Sequence, residues 1–162
     1  MSPAVITARN LLASDLEILA RSFPQPTPVS HAKRLQRQQD GDYTYSCLEI
    51  DDAVVAIQLT RWHGPNSAAD AQLSTFPELG SLYVLPEHRG KGYASMLLQH
   101  SEQAIRSKGF TAVGAIIKDN NLPSIAMHTA RGYVAIGEAS RSSHSMDIPR
   151  TYYLKQLRQT DH

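Results

Sequence analysis

The chain has 162 residues, 41% apolar and 19% charged, enough to bury a full core without staples, so one domain over 1–162 is expected. Sixteen Lys and Arg stand against fifteen Asp and Glu, a formal charge of +1; no broad field is available for a nucleic-acid backbone or an anionic membrane, neither is expected as a partner, and any anion site must be local. Cys47 is the single cysteine, which rules out an internal disulfide, and no leader pattern or bilayer-length apolar run is visible, so a soluble, unprocessed, cytoplasmic protein is expected.

In chain order, Val5, Ile6 and Thr7 read as a short strand, and Ser14 with Glu17 three residues on is a capping-box pattern opening a helix over 15–22. Pro24, Pro26 and Pro28 stop it. Residues 30–39 form a second helical stretch with a polar, basic face (His31, Lys33, Arg34, Arg37), which predicts an exposed, weakly packed helix. YTYSCLEI and AVVAIQLTRW are β-rich runs joined through Asp51 and Asp52, a hairpin by pattern, and Cys47 within it reads as packing. The polar run 63–77 reads as a loop. LGSLYV is a strand, 92–108 a helix closed by Gly109, TAVGAII a buried strand around Gly114, SIAMHTAR a short helix closed by Gly132, and YVAIGEA and RTYYLKQL two last strands. This order predicts an α/β (α+β) fold, a mixed sheet with helices on its faces, and no repeat or low-complexity tract is visible.

The junction PEHRGKGYASMLL carries more glycine than a turn requires. A helix start leaves backbone N–H groups unpaired at the positive end of the helix dipole. Glycines at 90 and 92 remove the Cβ atoms that would keep a ligand from those donors, and Arg89 and Lys91 add charge, so a phosphate is the natural guest. The spacing fits neither G-x-x-x-x-G-K-[ST] nor a complete G-x-G-x-x-G, which argues against a nucleoside triphosphate or NAD. Taken alone, the glycines also fit an ordinary turn with solvated basic residues.

Arg89, Gly90, Lys91, Gly92, Tyr93 and Ala94 match R/Q-x-x-G-x-G/A, and with the lead-in LYVLPEH they resemble the coenzyme A pyrophosphate loop of the GNAT superfamily of N-acetyltransferases. Downstream, NLPSIAMHTARGYVAIG resembles the family's second signature at Asn121, Ser124, His128, Gly132 and Tyr133. The two stand at the family's usual separation, and the element order matches from about Val5 to Leu157. The resemblance implies a central mixed, mostly antiparallel sheet with splayed strands and helices on both faces. It implies acetyl-CoA as co-substrate, with the diphosphate on Arg89, Gly90, Lys91, Gly92, Tyr93, Ala94 and Ser95. The pantetheine arm would lie against the backbone of Leu82, Tyr83 and Val84, with Asn121 and Ser124 on its far side. A backbone N–H there would also stabilise the oxyanion. No metal is expected.

Acetyl transfer to an amine needs alignment, a deprotonated amine and a proton for the departing thiolate. Glu78 opens the central strand six residues before Val84, on the same face by period two, where histone-modifying members carry a glutamate base. A solvated Glu after Pro77 is the plain alternative. Another family arrangement, a glutamate five residues before the Asn, is excluded because Ile116 stands there. His128 replaces the usual Tyr, as in phosphinothricin-acetyltransferase-like members, and is assigned as the acid; base, positioner and packed helix-face histidine stay open, since a neutral imidazole both donates and accepts. The acceptor pocket is expected from the first two helices and the 63–77 and 141–150 loops, with Trp62, His63, His144, Asp147, Tyr152 and Tyr153 as lining candidates, although strand-end aromatics usually pack. Direct transfer to a small-molecule primary amine in a ternary complex is preferred. A non-catalytic acyl-CoA sensor or scaffold, a protein or peptide N-acetyltransferase and a longer-chain acyltransferase are the alternatives, and family habit implies a homodimer.

Overall fold

A computed structural model of the chain describes residues 3–23, 28–65, 74–139 and 148–158. Its elements are β1 (Ile6–Asn10), a 3-10 turn (Ala13–Asp15), α1 (Leu16–Ser22), α2 (Pro28–Gln39), β2 (Tyr43–Ile50), β3 (Ala53–Arg61), β4 (Glu78–Val84), a second 3-10 turn (Pro86–His88), α3 (Tyr93–Ser107), β5 (Ala112–Lys118), α4 (Leu122–Ala130), β6 (Val134–Ala139) and β7 (Arg150–Gln156). The strand order is β1-β2-β3-β4-β5-β7-β6, with β4 and β5 parallel and the pairs β1–β2, β2–β3, β5–β7 and β6–β7 antiparallel. This is the expected mixed, mostly antiparallel sheet. The chain forms two compact units, a first of 1–62 with 81–101 and a second of 63–80 with 102–162. Among the described residues no helix is long and apolar enough to cross a membrane.

In the first unit, β2 and β3 meet through Asp51 (φ 50°) and Asp52 (φ 70°). Two left-handed residues make the mirror-image turn whose twist suits a hairpin, and aspartate tolerates that conformation better than most side chains. Alternation along the hairpin, interrupted by an irregularity at Val55 opposite Leu48 and Glu49, sorts two cores. Tyr45, Cys47, Ile57 and Leu59 pack with Leu19, Phe23 and Leu35 from the α1 and α2 side, while Leu48, Val55 and Ala56 pack with Val84 and Leu97 of α3. Cys47 is the inert packing residue expected: it is fully buried, and burial pushes its thiol up to about 12.

Two local expectations are corrected. The Ser14–Glu17 capping box is replaced by Asp15, whose carboxylate accepts the Leu12 N–H at 2.6 Å and pairs with Arg9 at 2.9 Å; Glu17 pairs instead with Arg21, one turn on. The second correction is α2, which is anchored rather than loosely exposed. His31 is fully buried, with Nδ1 2.7 Å from the Tyr45 hydroxyl and Nε2 3.1 Å from the Phe23 carbonyl. Since a carbonyl only accepts, these partners assign the proton to Nε2, and Nδ1 accepts from Tyr45. Arg34 donates to the same hydroxyl at 3.2 Å. His31 is buried on this polar-looking face because both of its ring nitrogens find partners, while Lys33 stays exposed.

In the second unit, the start of β4 joins β5 through Glu78↔Gly114 and Leu79↔Ala115, a short ladder for strands of seven residues each. A Cβ on Gly114 would stand 1.9 Å from the Tyr152 hydroxyl, so this glycine makes room for a phenol from β7. Nearby, buried Glu102 accepts from Arg131 Nη2 and Lys155 Nζ, both at 2.9 Å, and from the Tyr133 hydroxyl at 2.8 Å. Burial works to raise its pKa, but these three donors outweigh it and hold the carboxyl below the ordinary range.

Candidate active site

The first unit carries the glycine-rich junction. Gly90 and Gly92 have φ of +77° and +84°, and a Cβ on either would meet nothing within 4 Å. Conformation, not crowding, demands glycine, and open space lies beside the loop. The Gly92 carbonyl accepts from Met96 N at 3.1 Å, so Gly92 caps α3 and the positive end of the helix dipole opens at the loop. Arg89, Gly90, Lys91 and Gly92 are exposed; Tyr93, Ala94 and Ser95 are half-buried. Arg89 is held back against the strand: its Nε donates to the Val84 carbonyl at 2.8 Å, and its guanidinium lies 5.1 Å over the Tyr83 ring. Tyr83 packs edge-on against Phe23 at 5.9 Å. The structure therefore brings Leu82, Tyr83, Val84 and the loop together, with the Val84 carbonyl already engaged by Arg89. The residues fit a diphosphate: exposed cations, left-handed glycines and a 15-residue helix behind them.

Within β4, Ser81 has φ 55°. A left-handed residue interrupts the alternation, so the period-two count that set Glu78 on the face of Val84 does not carry through. Arg34 Nη2 donates to Ser81 Oγ at 3.0 Å.

In the second unit, Glu78 is 3% exposed, which removes the reading of a solvated glutamate. Asn121 caps α4: its Oδ1 accepts from Ser124 N at 3.3 Å, leaving its NH2 as what it can offer a ligand. His128 is 4% exposed. Its Nδ1 lies 2.7 Å from the Ser124 carbonyl and 3.3 Å from Ser124 Oγ. The carbonyl assigns the proton to Nδ1, so the neutral ring carries its lone pair on Nε2. Burial lowers the pKa of His128; the Ser124 carbonyl and the Glu102 charge offset this only in part. The ring packs edge-on against Tyr133 with centroids 4.9 Å apart, and Tyr133 is held in turn by Glu102. At pH 7 the resting imidazole is therefore neutral, and it accepts a proton before it can give one.

The remaining candidates divide. The Trp62 indole donates to Thr44 Oγ1 at 2.9 Å and packs, His63 is exposed, and Tyr152 and Tyr153 are buried. His144 and Asp147 lie outside the described residues, as do 66–73 of the first loop. Among the described residues no group of three or more His, Cys, Asp or Glu could hold a metal. Sequence reasoning missed Glu102 as a support of the His128 region. The signal was present: Glu102 falls on the stripe of Leu98 and Ile105, both fully buried, and an acid in such a stripe needs partners.

The sequence profile of the Acetyltransferase (GNAT) family matches residues 13–133. The chain belongs to the GNAT family. This GNAT chain is 33% identical over 117 residues to a phosphinothricin N-acetyltransferase of Streptomyces viridochromogenes, covering 72% of this chain. The match spans 60% of the length of that curated relative. Among solved structures, an N-acetyltransferase from Staphylococcus aureus Mu50 superposes with a TM-score of 0.75 at 21% identity, covering 97% of this chain and 100% of its own. A phosphinothricin acetyltransferase from Sinorhizobium meliloti, solved in complex with AcCoA, gives 0.74 at 23% identity, covering 94% and 88%. At such identities the likeness establishes the fold, and the GNAT fold is the one expected.

Proposed function

We propose that this GNAT protein is an acetyl-CoA-dependent N-acetyltransferase that acts by direct transfer on the primary amine of a small molecule. The observation that carries the reading is the junction at Gly90 and Gly92, left-handed, open on the ligand side and opening α3. The AcCoA-bound relative supports the co-substrate, and the phosphinothricin acetyltransferase relative supports a small amine as acceptor. The family match runs through residues of both compact units, which supports 1–162 as one functional domain.

In this reading Arg89 to Ser95 hold the diphosphate, and the backbone of Leu82, Tyr83 and Val84 with Asn121 and Ser124 hold the arm. Acetyl-CoA supplies the thioester carbonyl that the amine attacks. His128, neutral and with Nε2 as acceptor, takes the proton that the amine nitrogen gives up as the N–C bond forms. The imidazolium then returns that proton to the sulfur as the C–S bond breaks, so one residue balances the reaction. The acid role assigned from the sequence thus becomes the second half of a base-then-acid cycle. Glu78, buried at the start of β4, is the second candidate for receiving the amine proton.

The test pairs thiol release from acetyl-CoA over a panel of small amines, amino acids and peptides with calorimetry of coenzyme A binding. Gly92→Val should weaken coenzyme binding by about tenfold or more, since a β-branched residue resists φ +84°. His128→Phe should lower kcat by about a hundredfold, the usual reach of acid–base catalysis, with coenzyme affinity held. Unchanged binding in Gly92→Val removes the loop from the site, and tight binding with no turnover on any amine makes the protein an acyl-CoA sensor.

A further inference from the structure

We propose that a groove in the second unit is a binding site for a small organic anion with an apolar body. The groove has a volume of about 600 Å³, within the range of small-ligand sites. Four cationic side chains line it: Arg106 on the last turn of α3, Arg131 after α4, Lys155 in β7 and Arg158 beyond it. The whole chain carries a formal charge of only +1, so this concentration is local. Glu102 neutralises part of it through Arg131 and Lys155; four cations less that one carboxylate leave three positive charges.

Arg106 shows what the groove lacks. Its Nη1 donates to Gln103 at 2.7 Å, while its buried Nε–H has no acceptor among the described residues. A buried donor without an acceptor is destabilising, and the same guanidinium adds its charge to the groove lining. A carboxylate or phosphate matches both the charge and the planar fork of a guanidinium. The apolar half of the ligand follows from the remaining lining. Val134 and Ile136, on edge strand β6, are 62% and 50% exposed, and Leu154 lines the same groove. Large aliphatic side chains bared beside cations suit a ligand whose acid group sits on hydrocarbon. Inorganic phosphate would satisfy the arginines and leave the aliphatic surface wet.

The test titrates the full chain with phenyl phosphate, inorganic phosphate and benzyl alcohol, read by calorimetry and by amide NMR. Phenyl phosphate should bind saturably, about tenfold or more tighter than either other probe, and shift the amides of Gly132, Val134 and Ile136. The Arg106→Gln/Arg158→Gln variant should lose about tenfold or more, and Ile136→Ser should weaken phenyl phosphate but not inorganic phosphate. Arg158→Gln alone, at an exposed side chain, carries the test should the double variant fail to fold. Absence of saturable binding, equal affinity in the variants, or shifts confined to Arg89–Ala94 would overturn the proposal. So would a dimer that Ile136→Asp splits, because the occupant would then be a second copy of the chain.

Discussion

Replacing Gly114 by alanine tests the packing beside Glu78. The new methyl would lie 1.9 Å from the Tyr152 hydroxyl, 2.4 Å from Cζ and 2.9 Å from Cε2. Carbon atoms in contact stand about 3.5–4.0 Å apart, so the ring must retreat by roughly 1 Å or more. Tyr152 is fully buried in a close-packed interior, and Gly114 is held in register by Glu78 on one side and Leu154 on the other, so neither partner yields easily. Overpacking of this kind costs about 1–3 kcal/mol, and a rigid ring against a strand backbone places it near 3. At roughly 2–4 °C per kcal/mol for a chain of this size, Tm should fall by about 6–12 °C. Urea denaturation and thermal melts of the wild type, Gly114→Ala, Tyr152→Leu and the double variant form the assay. With the phenol removed, alanine at 114 should cost less than about 1 kcal/mol, giving a coupling of about 2 kcal/mol. A Gly114→Ala protein that melts with the wild type, or a penalty that persists in the Tyr152→Leu background, would refute the claim that Tyr152 dictates the glycine.

Burial holds the folded pKa of His128 below the ordinary value near 6.5, so the His128 limb of kcat/KM should lie below about pH 6.5, the rate falling as the pH drops through the lower folded value, while a rise at higher pH follows the amine's own ionisation; a rate that rises on acidification would make His128 an acid in its resting form. The same sign governs stability at His31, whose pKa is also lowered by burial: its contribution is complete above about pH 6.5 and lost on acidification. Melts between pH 7.5 and 5 should therefore show a shallower pH slope in His31→Gln, and an unchanged slope would count against a neutral buried imidazole. Glu102→Gln leaves Arg131 and Lys155 without their carboxylate and should cost about 3–5 kcal/mol by urea denaturation. It should also move the ring resonances of His128 through Tyr133, and a silent His128 would show that the Glu102 contact ends at the phenol.

What the sequence determined by itself was whatever acts over a few consecutive residues. Apolar periodicity marked the strands and helices, Asp51–Asp52 marked the hairpin turn, and the Gly90–Gly92 pair marked a helix start open to an anion, because left-handed backbone and bare N–H groups are demands that neighbouring residues alone express. The tertiary structure decided which polar groups are solvated and which are paired. His31 lies on a face that reads as exposed, yet it is buried because Tyr45 arrives from β2 and a carbonyl from the end of α1. Glu102 gathers partners from the α4–β6 connection and from β7. The Ser124 carbonyl places the His128 proton on Nδ1, and burial favours the neutral ring. Desolvation depends on atoms brought in from distant parts of the chain, and no local pattern encodes where those atoms will be.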